Sequence, residues 1–359
     1  MTRRLVMFGL SLSSSWGNGH AIPFRGLCRE LANIGWDITF FERDLEWYRS
    51  NRDVACPDYC DLRFYDDWRS ETTSAVRSAD AVLVGSYVPD GAAIIDWLAT
   101  THRPLLFYDI DTPITLTALN SSGQTDYLRG DQIPRFETYF SFTGGPALDE
   151  LEQRWRSPHA EALYCGVDPR IYHPVPAEPR FAASLGYMGT YAADRQPRLT
   201  EFLFQTADRR PDERFLLAGP QYPPMRLPAN LEHIIHLYPR DHAAFYSSAL
   251  ATLNLTRDAM RTYGWSPASR LFEAAACGAC IISDTWPGLP DLLEPGREVL
   301  LADSRQDVEA HLDALSPARR IAIGSAARAR VLAEHTFAHR ASQLTAVLEG
   351  VLSSQWASV

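Results

Sequence analysis

The sequence predicts an α/β protein made of two doubly wound domains, and three observations predict it. Short apolar runs alternate with amphipathic helical segments along the whole chain, the pattern of parallel sheets with helices on both faces. The alternation stops once, at "CGVDPRIYHPVPAEPRF" (165–181), where four prolines forbid a regular helix or a central strand. The chain's 359 residues are too many for one ordinary core and suit two. The expected division is a first domain over 1–165, a linker over 166–181, a second domain over 182–335, and a C-terminal helix over 336–359 that packs back toward the first domain.

Taken in order, the strands expected in the first domain are Leu5–Leu10, Asp37–Phe41, Ala81–Gly85, Leu105–Asp109, Tyr139–Phe142 and Ala162–Tyr164. Phe24, Leu27, Cys28 and Leu31 stand at i, i+3, i+4 and i+7, one buried stripe of a helix. Beyond the linker the expected strands are Leu185–Met188, Phe215–Ala218, Ile234–Leu237, Thr252–Leu255, Cys280–Ser283 and Val299–Leu301. Leu199, Phe202, Leu203 and Thr206 mark a helix between them, and Pro317 to about Leu352 reads as helix without a further strand. That gives about six strands to each sheet. Ligands of such sheets bind outside the carboxyl ends of the strands, so two facing domains are expected to share one cleft.

Composition removes several function classes. A formal net charge of −10 argues against a nucleic-acid binder, which needs a basic face. No run approaches the ~18 apolar residues of a membrane span. The apolar stretch in "MTRRLVMFGLSLSSSWGNGH" is too short for a signal-peptide core. "CGAC" (277–280) has zinc or redox spacing but no accompanying pair, so the six cysteines read as thiols of a reducing cytoplasm. Arg319, Arg320, Arg328 and Arg330 read as a solvated basic face.

Chemistry is carried by the loops after the strands. In "TRDAMRTYGWSPASRLFEAAACGACIISD", a helix begins near Ser266 and Ser269, and its N-terminal amides and dipole suit a phosphate. Arg257, Arg261 and Arg270 are close enough in sequence to complete that site. Glu273, one turn on, either accepts both hydroxyls of a ribose or is an acid favoured by the dipole. "LGYMGTYAADRQPR" places Gly189 and Thr190 at a strand end, where glycine lets a ligand approach the backbone, with Arg195 within reach of a phosphate.

The first domain offers a different set. "SSSWGNGHAIPFRGLC" (13–28) is longer and more polar than a strand-to-helix connection requires. It presents Ser15, Trp16, Asn18 and Gly19 as acceptor-side residues, its serines supplying hydroxyls, and His20 as a candidate base. "FYDIDTP" puts Asp109 and Asp111 at a strand end, where either could orient His20 or bind substrate hydroxyls, or cap the next helix. "SFTGGP" adds Gly144 and Gly145 on the acceptor side. No metal and no cofactor is expected. Gly17-Asn18-Gly19 lacks the third glycine of a dinucleotide fingerprint, which disfavours an oxidoreductase.

These residues carry a resemblance. "YCGVDPRIYHP" is similar to the hinge of the GT-B nucleotide-sugar glycosyltransferases, and "SPASRLFEAAACGACIISD" resembles their donor-site helix. Over nearly the whole chain, "SLSSSWGNGHAIPFRGLCREL", "FFERDLEWYRSNRD", "FYDIDTP", "SFTGGP", "AGPQYP" and "YGWSP" together resemble the CgeB-like glycosyltransferases. The resemblance implies a GT-B fold, Glu273 on the donor ribose, and Gly264, Trp265, Ser266 and Arg270 near the diphosphate. Retaining members carry a second Glu eight residues before the ribose one, where this chain has Trp265. "GHAIP" resembles instead the inverting plant-type transferases, in which a histidine paired with an Asp is the base. The implied partners are a nucleotide-sugar donor and a glycan, lipid-linked or small-molecule acceptor. A nucleotide-sugar epimerase and a non-catalytic nucleotide-sugar-binding subunit are the alternatives.

Overall fold

A computed structural model gives two all-parallel sheets, and it describes residues 3–17 and 19–357, with the side chains of 354–357 left aside. The chain divides into two compact units, Met1–Gly166 with Phe337–Val359, and Val167–Thr336.

In the first unit the strands are β1 (Arg3–Gly9), β2 (Trp36–Arg43), β3 (Asp61–Tyr65), β4 (Ala81–Gly85), β5 (Leu105–Asp109), β6 (Thr138–Ser141) and β7 (Ala160–Ala162). Their order is β3-β2-β1-β4-β5-β6-β7, so the sheet reverses direction of growth between β1 and β4, where such folds hold ligands. β3 is the strand the apolar pattern misses. It is an edge strand whose residues are mostly exposed or half-buried, so no apolar run marks it. The helix Ala21–Asn33 buries Phe24, Leu27, Cys28 and Leu31 as its periodicity predicts. The C-terminal helix Phe337–Ala357 packs along it, with Ala341, Leu344 and Leu348 fully buried in the same core. A side chain at Gly26 would overlap the ring of Phe337, which explains that glycine.

The second unit holds β8 (Leu185–Met188), β9 (Phe215–Ala218), β10 (Leu231–Ile234), β11 (Ala251–Asn254), β12 (Ile281–Asp284) and β13 (Leu300–Ala302) in the order β10-β9-β8-β11-β12-β13. β10 lies three residues earlier than Ile234–Leu237. Its register is set by pairing Leu231–Ile234 with Phe215–Ala218, and the apolar residues beyond run into solvent, Ile235 being 70% exposed. Residues 167–181 group with this unit. Val167, Tyr172 and Phe181 are buried, and the Val167 and Glu178 amides bond the His335 carbonyl and the Ser248 hydroxyl.

The four arginines of the helix Pro317–Glu334 do not form a purely solvated face. Arg320 donates to the Ser247 carbonyl and Arg328 to the Ala276 carbonyl, each at the C-terminal end of another helix, where carbonyls lack helical partners. Arg330 pairs with Glu298 and Glu334. Cys277 and Cys280 are buried, and burial pushes both thiols up to about 12. Among the described residues no helix is long and apolar enough to cross a membrane.

Candidate functional site

The polar loop after β1 is held by a carboxylate that sequence reasoning did not single out. Glu42, fully buried near the end of β2, accepts from the Leu12 and Ser13 amides at 2.6 and 2.8 Å and from the Ser13 and Ser11 hydroxyls at 2.7 and 3.2 Å. Ser11, Ser13 and Ser14 are therefore interior, and their hydroxyls serve the loop rather than a substrate. Ser15 is also committed. Its amide and hydroxyl bond Asp53, which pairs with Arg25 at 2.5 Å. Trp16 is 55% exposed and Gly17 takes a left-handed φ of 67°, which favours glycine. Gly19 has open space where a side chain would be, so nothing in its surroundings demands glycine. Asn18 lies outside the described residues.

His20 stands next, buried, at the N-terminal edge of the helix Ala21–Asn33. Its Nε2 lies 3.8 Å from Asp111 Oδ2, too far for a direct hydrogen bond but close enough for the carboxylate to act on the imidazole through space. Asp111 occupies the cap position of the following helix but makes no capping bond, so its carboxylate remains available. Asp109 faces the interior. It accepts from Tyr139 at 2.6 Å, from Thr115 at 2.9 Å and from the Asp111 amide at 3.2 Å. Burial raises its carboxyl to about 6, against those hydrogen bonds. Of the two candidates, Asp111 approaches the imidazole and Asp109 fixes the turn that carries it. Gly144 is buried and Gly145 has a φ of 56°, in a loop tied to this turn by the Ser141–Thr112 hydroxyl bond of 2.7 Å.

In the second unit the glycine after β8 lies against the ends of two long side chains. A side chain on Gly189 would come within 2.7 Å of the Tyr187 hydroxyl and 2.9 Å of the Arg270 guanidinium. The Gly189 carbonyl accepts from Tyr222 at 3.1 Å, and a side chain on Gly219 would overlap it. Arg195, 7% exposed, bonds the Thr190 carbonyl, and Arg270 bonds the Leu255 carbonyl at 3.1 Å. Both guanidinium groups lie over the Tyr187 ring, 5.7 and 5.4 Å from its centroid. Among the described residues neither is in an ion pair. Burial, followed by the Arg270 charge, pushes the Arg195 pKa down. Asp194 and Glu273 act on Arg195 and Arg270 only through space, so an anion that bonded both guanidinium groups would relieve their mutual repulsion.

Glu273 is 8% exposed, three residues beyond Arg270 on the helix Ser269–Ala276. Burial lifts it to about 7, while Arg270 and the Tyr172 and Ser269 hydroxyls oppose that rise. Arg257 differs from Arg195 and Arg270, because it is neutralised by Asp194 at 3.2 Å. Gly264 and Trp265 have φ values of 68° and 41° and form a turn locked onto the loop after β12. There the Trp265 amide bonds the Pro287 carbonyl at 2.6 Å and its indole N–H bonds Asp291 at 2.7 Å. Trp265 thus anchors this turn to the segment after β12. Ser266 is buried beside it.

Residues 195–346 match the family model described as glycosyl transferase-like. No curated protein matches the chain. Among solved structures, an alpha-glucosyltransferase in complex with UDP-glucose and abasic DNA superposes with a TM-score of 0.71 at 12% identity, covering 97% of this chain and 99% of that one. Sucrose-phosphate synthase from Thermosynechococcus elongatus gives 0.68 at 16%, covering 98% and 100%. Anabaena Alr3699/HepE, with UDP and glucose, gives 0.67 at 12%, covering 97% and 100%. The fold is GT-B.

Within this GT-B chain, sequence reasoning missed Glu42, Tyr87, Tyr127, Tyr187 and Asp284. Asp284 carries the signal that marked Asp109, an acid ending an apolar strand. It is fully buried, accepts from the Thr256 amide and hydroxyl at 3.2 and 3.0 Å, and lies 3.9 Å from Arg198. Burial raises it to about 6.

Proposed function

We propose that this protein is a glycosyltransferase that moves a sugar from a nucleoside diphosphate to an acceptor hydroxyl. The observation that carries the reading is the pair Arg195 and Arg270, sheltered over Tyr187 beside the Gly189 backbone and outside any described ion pair. When the glycosidic bond to the donor breaks, negative charge grows on the departing diphosphate. Two fixed guanidinium groups stabilise that charge with no reorganisation at the moment of transfer. Glu273, as a carboxylate, accepts the ribose hydroxyls. UDP is the first nucleotide to test, because the similar HepE and alpha-glucosyltransferase structures hold UDP or UDP-glucose.

In the first unit, Asp111 lies 3.8 Å from His20 Nε2 and orients the imidazole, which takes the acceptor hydroxyl's proton as the oxygen attacks the anomeric carbon and the bond to the diphosphate breaks. This arrangement favours inversion at that carbon. The motif set supports a CgeB-like member of the GT-B glycosyltransferases.

A thermal-shift panel of nucleoside diphosphates and their sugars tests the donor half. One nucleotide should raise the melting temperature of the wild type and lose its effect on Arg270→Ala. A flat response to every nucleotide would remove the reading.

A further inference from the structure

The candidate base belongs to a closed ring of contacts whose far side is made by two tyrosines. From His20 Nε2 to Asp111 Oδ2 is 3.8 Å, and the Asp111 amide donates to Asp109 Oδ1 at 3.2 Å. The same Asp109 oxygen accepts from the Thr115 hydroxyl at 2.9 Å, and Thr115 Oγ1 lies 2.7 Å from the Tyr127 hydroxyl. The Tyr127 ring packs on the Tyr87 ring with centroids 4.7 Å apart. Tyr87 closes the ring by meeting the His20 imidazole nearly at right angles, at 83° and 5.2 Å.

Tyr87 reaches that position at a cost to its backbone. It has a φ of 62°, in the left-handed region that a bulky residue rarely adopts. The turn is held from the neighbouring strand. The Ser86 amide bonds the Tyr108 carbonyl at 3.0 Å, and the Ser86 hydroxyl accepts from the Ile110 amide at 3.1 Å. The segment carrying Tyr87 and the segment carrying Asp109 and Asp111 are therefore one bonded assembly. Tyr127 is itself 5% exposed, and the Gly91 backbone approaches it so closely that a side chain there would meet its carbonyl at 2.7 Å.

We propose that Tyr87 and Tyr127 are positioning residues for the His20–Asp111 pair. Tyr87 sets the plane of the imidazole from one side. Tyr127, through Thr115 and Asp109, fixes the turn that places Asp111 on the other. Neither tyrosine touches substrate in this scheme. Their joint effect is to hold His20 Nε2 and Asp111 Oδ2 at their 3.8 Å separation, where a displacement of about 1 Å costs roughly 100-fold in rate. This rests on the reading of His20 as the base, and the test separates the two.

The test compares Tyr87→Gly, which removes the ring where the backbone already suits glycine, with Tyr87→Phe, which keeps the ring. The first measurement needs no substrate. In the full-length protein labelled with nitrogen-15, the His20 imidazole signals are identified by their loss in His20→Gln. Tyr87→Gly should displace those signals, Tyr87→Phe should leave them in place, and Tyr127→Phe should displace them less than Tyr87→Gly does. The second measurement is release of the nucleoside diphosphate from the donor. Tyr87→Gly should lower kcat roughly 10- to 100-fold with the donor KM unchanged, and Tyr87→Phe should restore kcat. Wild-type imidazole signals in Tyr87→Gly would overturn the proposal. If His20→Gln keeps full turnover, the base reading falls, and the imidazole signals still decide whether Tyr87 holds the ring.

Discussion

Asp109 and Asp284 occupy the same place in two similarly ordered sheets and do different work. Each ends the strand that follows the switch-point neighbour, β5 beside β4 and β12 beside β11. Each is fully buried and raised to about 6, and burial is the largest cause for both. Asp109 is satisfied by neutral donors and turns its effect on its own strand's loop, which carries Asp111 toward His20. Asp284 reaches sideways to Thr256 in the loop after β11, next to the Leu255 carbonyl that holds Arg270, and has Arg198 nearby. A single strand-end carboxylate thus fixes the turn that carries Asp111 toward His20 in one unit and the loop beside Arg270 in the other. The fold supplies the position, and the neighbouring loop decides the chemistry.

The largest expected effects break one side of this comparison at a time. His20→Ala should lower turnover roughly 100- to 10,000-fold while donor affinity stays unchanged, read from initial rates and a donor titration. Arg195→Ala or Arg270→Ala should do the converse to binding, weakening the nucleoside diphosphate by roughly 30- to 1,000-fold. If His20→Ala also weakened the nucleotide, or the arginine variants left its binding intact, the division of labour between the units would be wrong.

A smaller effect falls on stability. Glu42→Ala leaves two buried backbone amides and the Ser13 hydroxyl without their acceptor. It should cost about 2–4 kcal/mol in denaturant unfolding. A loss below about 1 kcal/mol would show that the loop after β1 is not built on Glu42.

The smallest effect sharpens the parallel between the two aspartates. A carboxyl with a raised folded-state pKa binds its proton more tightly when folded. Its stabilising contribution is complete below the unfolded value of about 3.9 and is lost as pH rises through about 6. Asp109→Asn and Asp284→Asn should each flatten the fall of stability between those values. A variant with the wild-type slope would mean that its carboxyl does not titrate there.

Much of this was legible in the sequence, and the illegible parts have physical causes. The order of strands and helices follows from apolar periodicity, and the departures, the missed β3, the three-residue shift of β10 and the two-residue shift of β7 from Ala162–Tyr164 to Ala160–Ala162, are all at sheet edges. β3 is too exposed to show an apolar run, while the "HIIHL" run outlasts β10 because pairing, not hydrophobicity, ends the strand. That Gly189, Arg195, Arg270 and Glu273 lie near one another could be read, because a glycine at a strand end and a helix start are marked by residue type. The roles of Asp109 and Asp111 could not be separated, since which way a side chain turns at a strand end depends on partners such as Tyr139, thirty residues away. The serines of the loop after β1 looked available because their acceptors, Glu42 for Ser11 and Ser13, Asn51 for Ser14 and Asp53 for Ser15, all come from beyond the loop.

The central claim is that Arg195 and Arg270 form the seat of a nucleoside diphosphate. Calorimetric titration of UDP and the other nucleoside diphosphates into the wild type and an Arg195→Ala/Arg270→Ala double variant tests it directly. Saturable one-site binding to the wild type, abolished in the double variant while the fold is kept, is the predicted result. Equal binding by both proteins, or binding by neither, would contradict it.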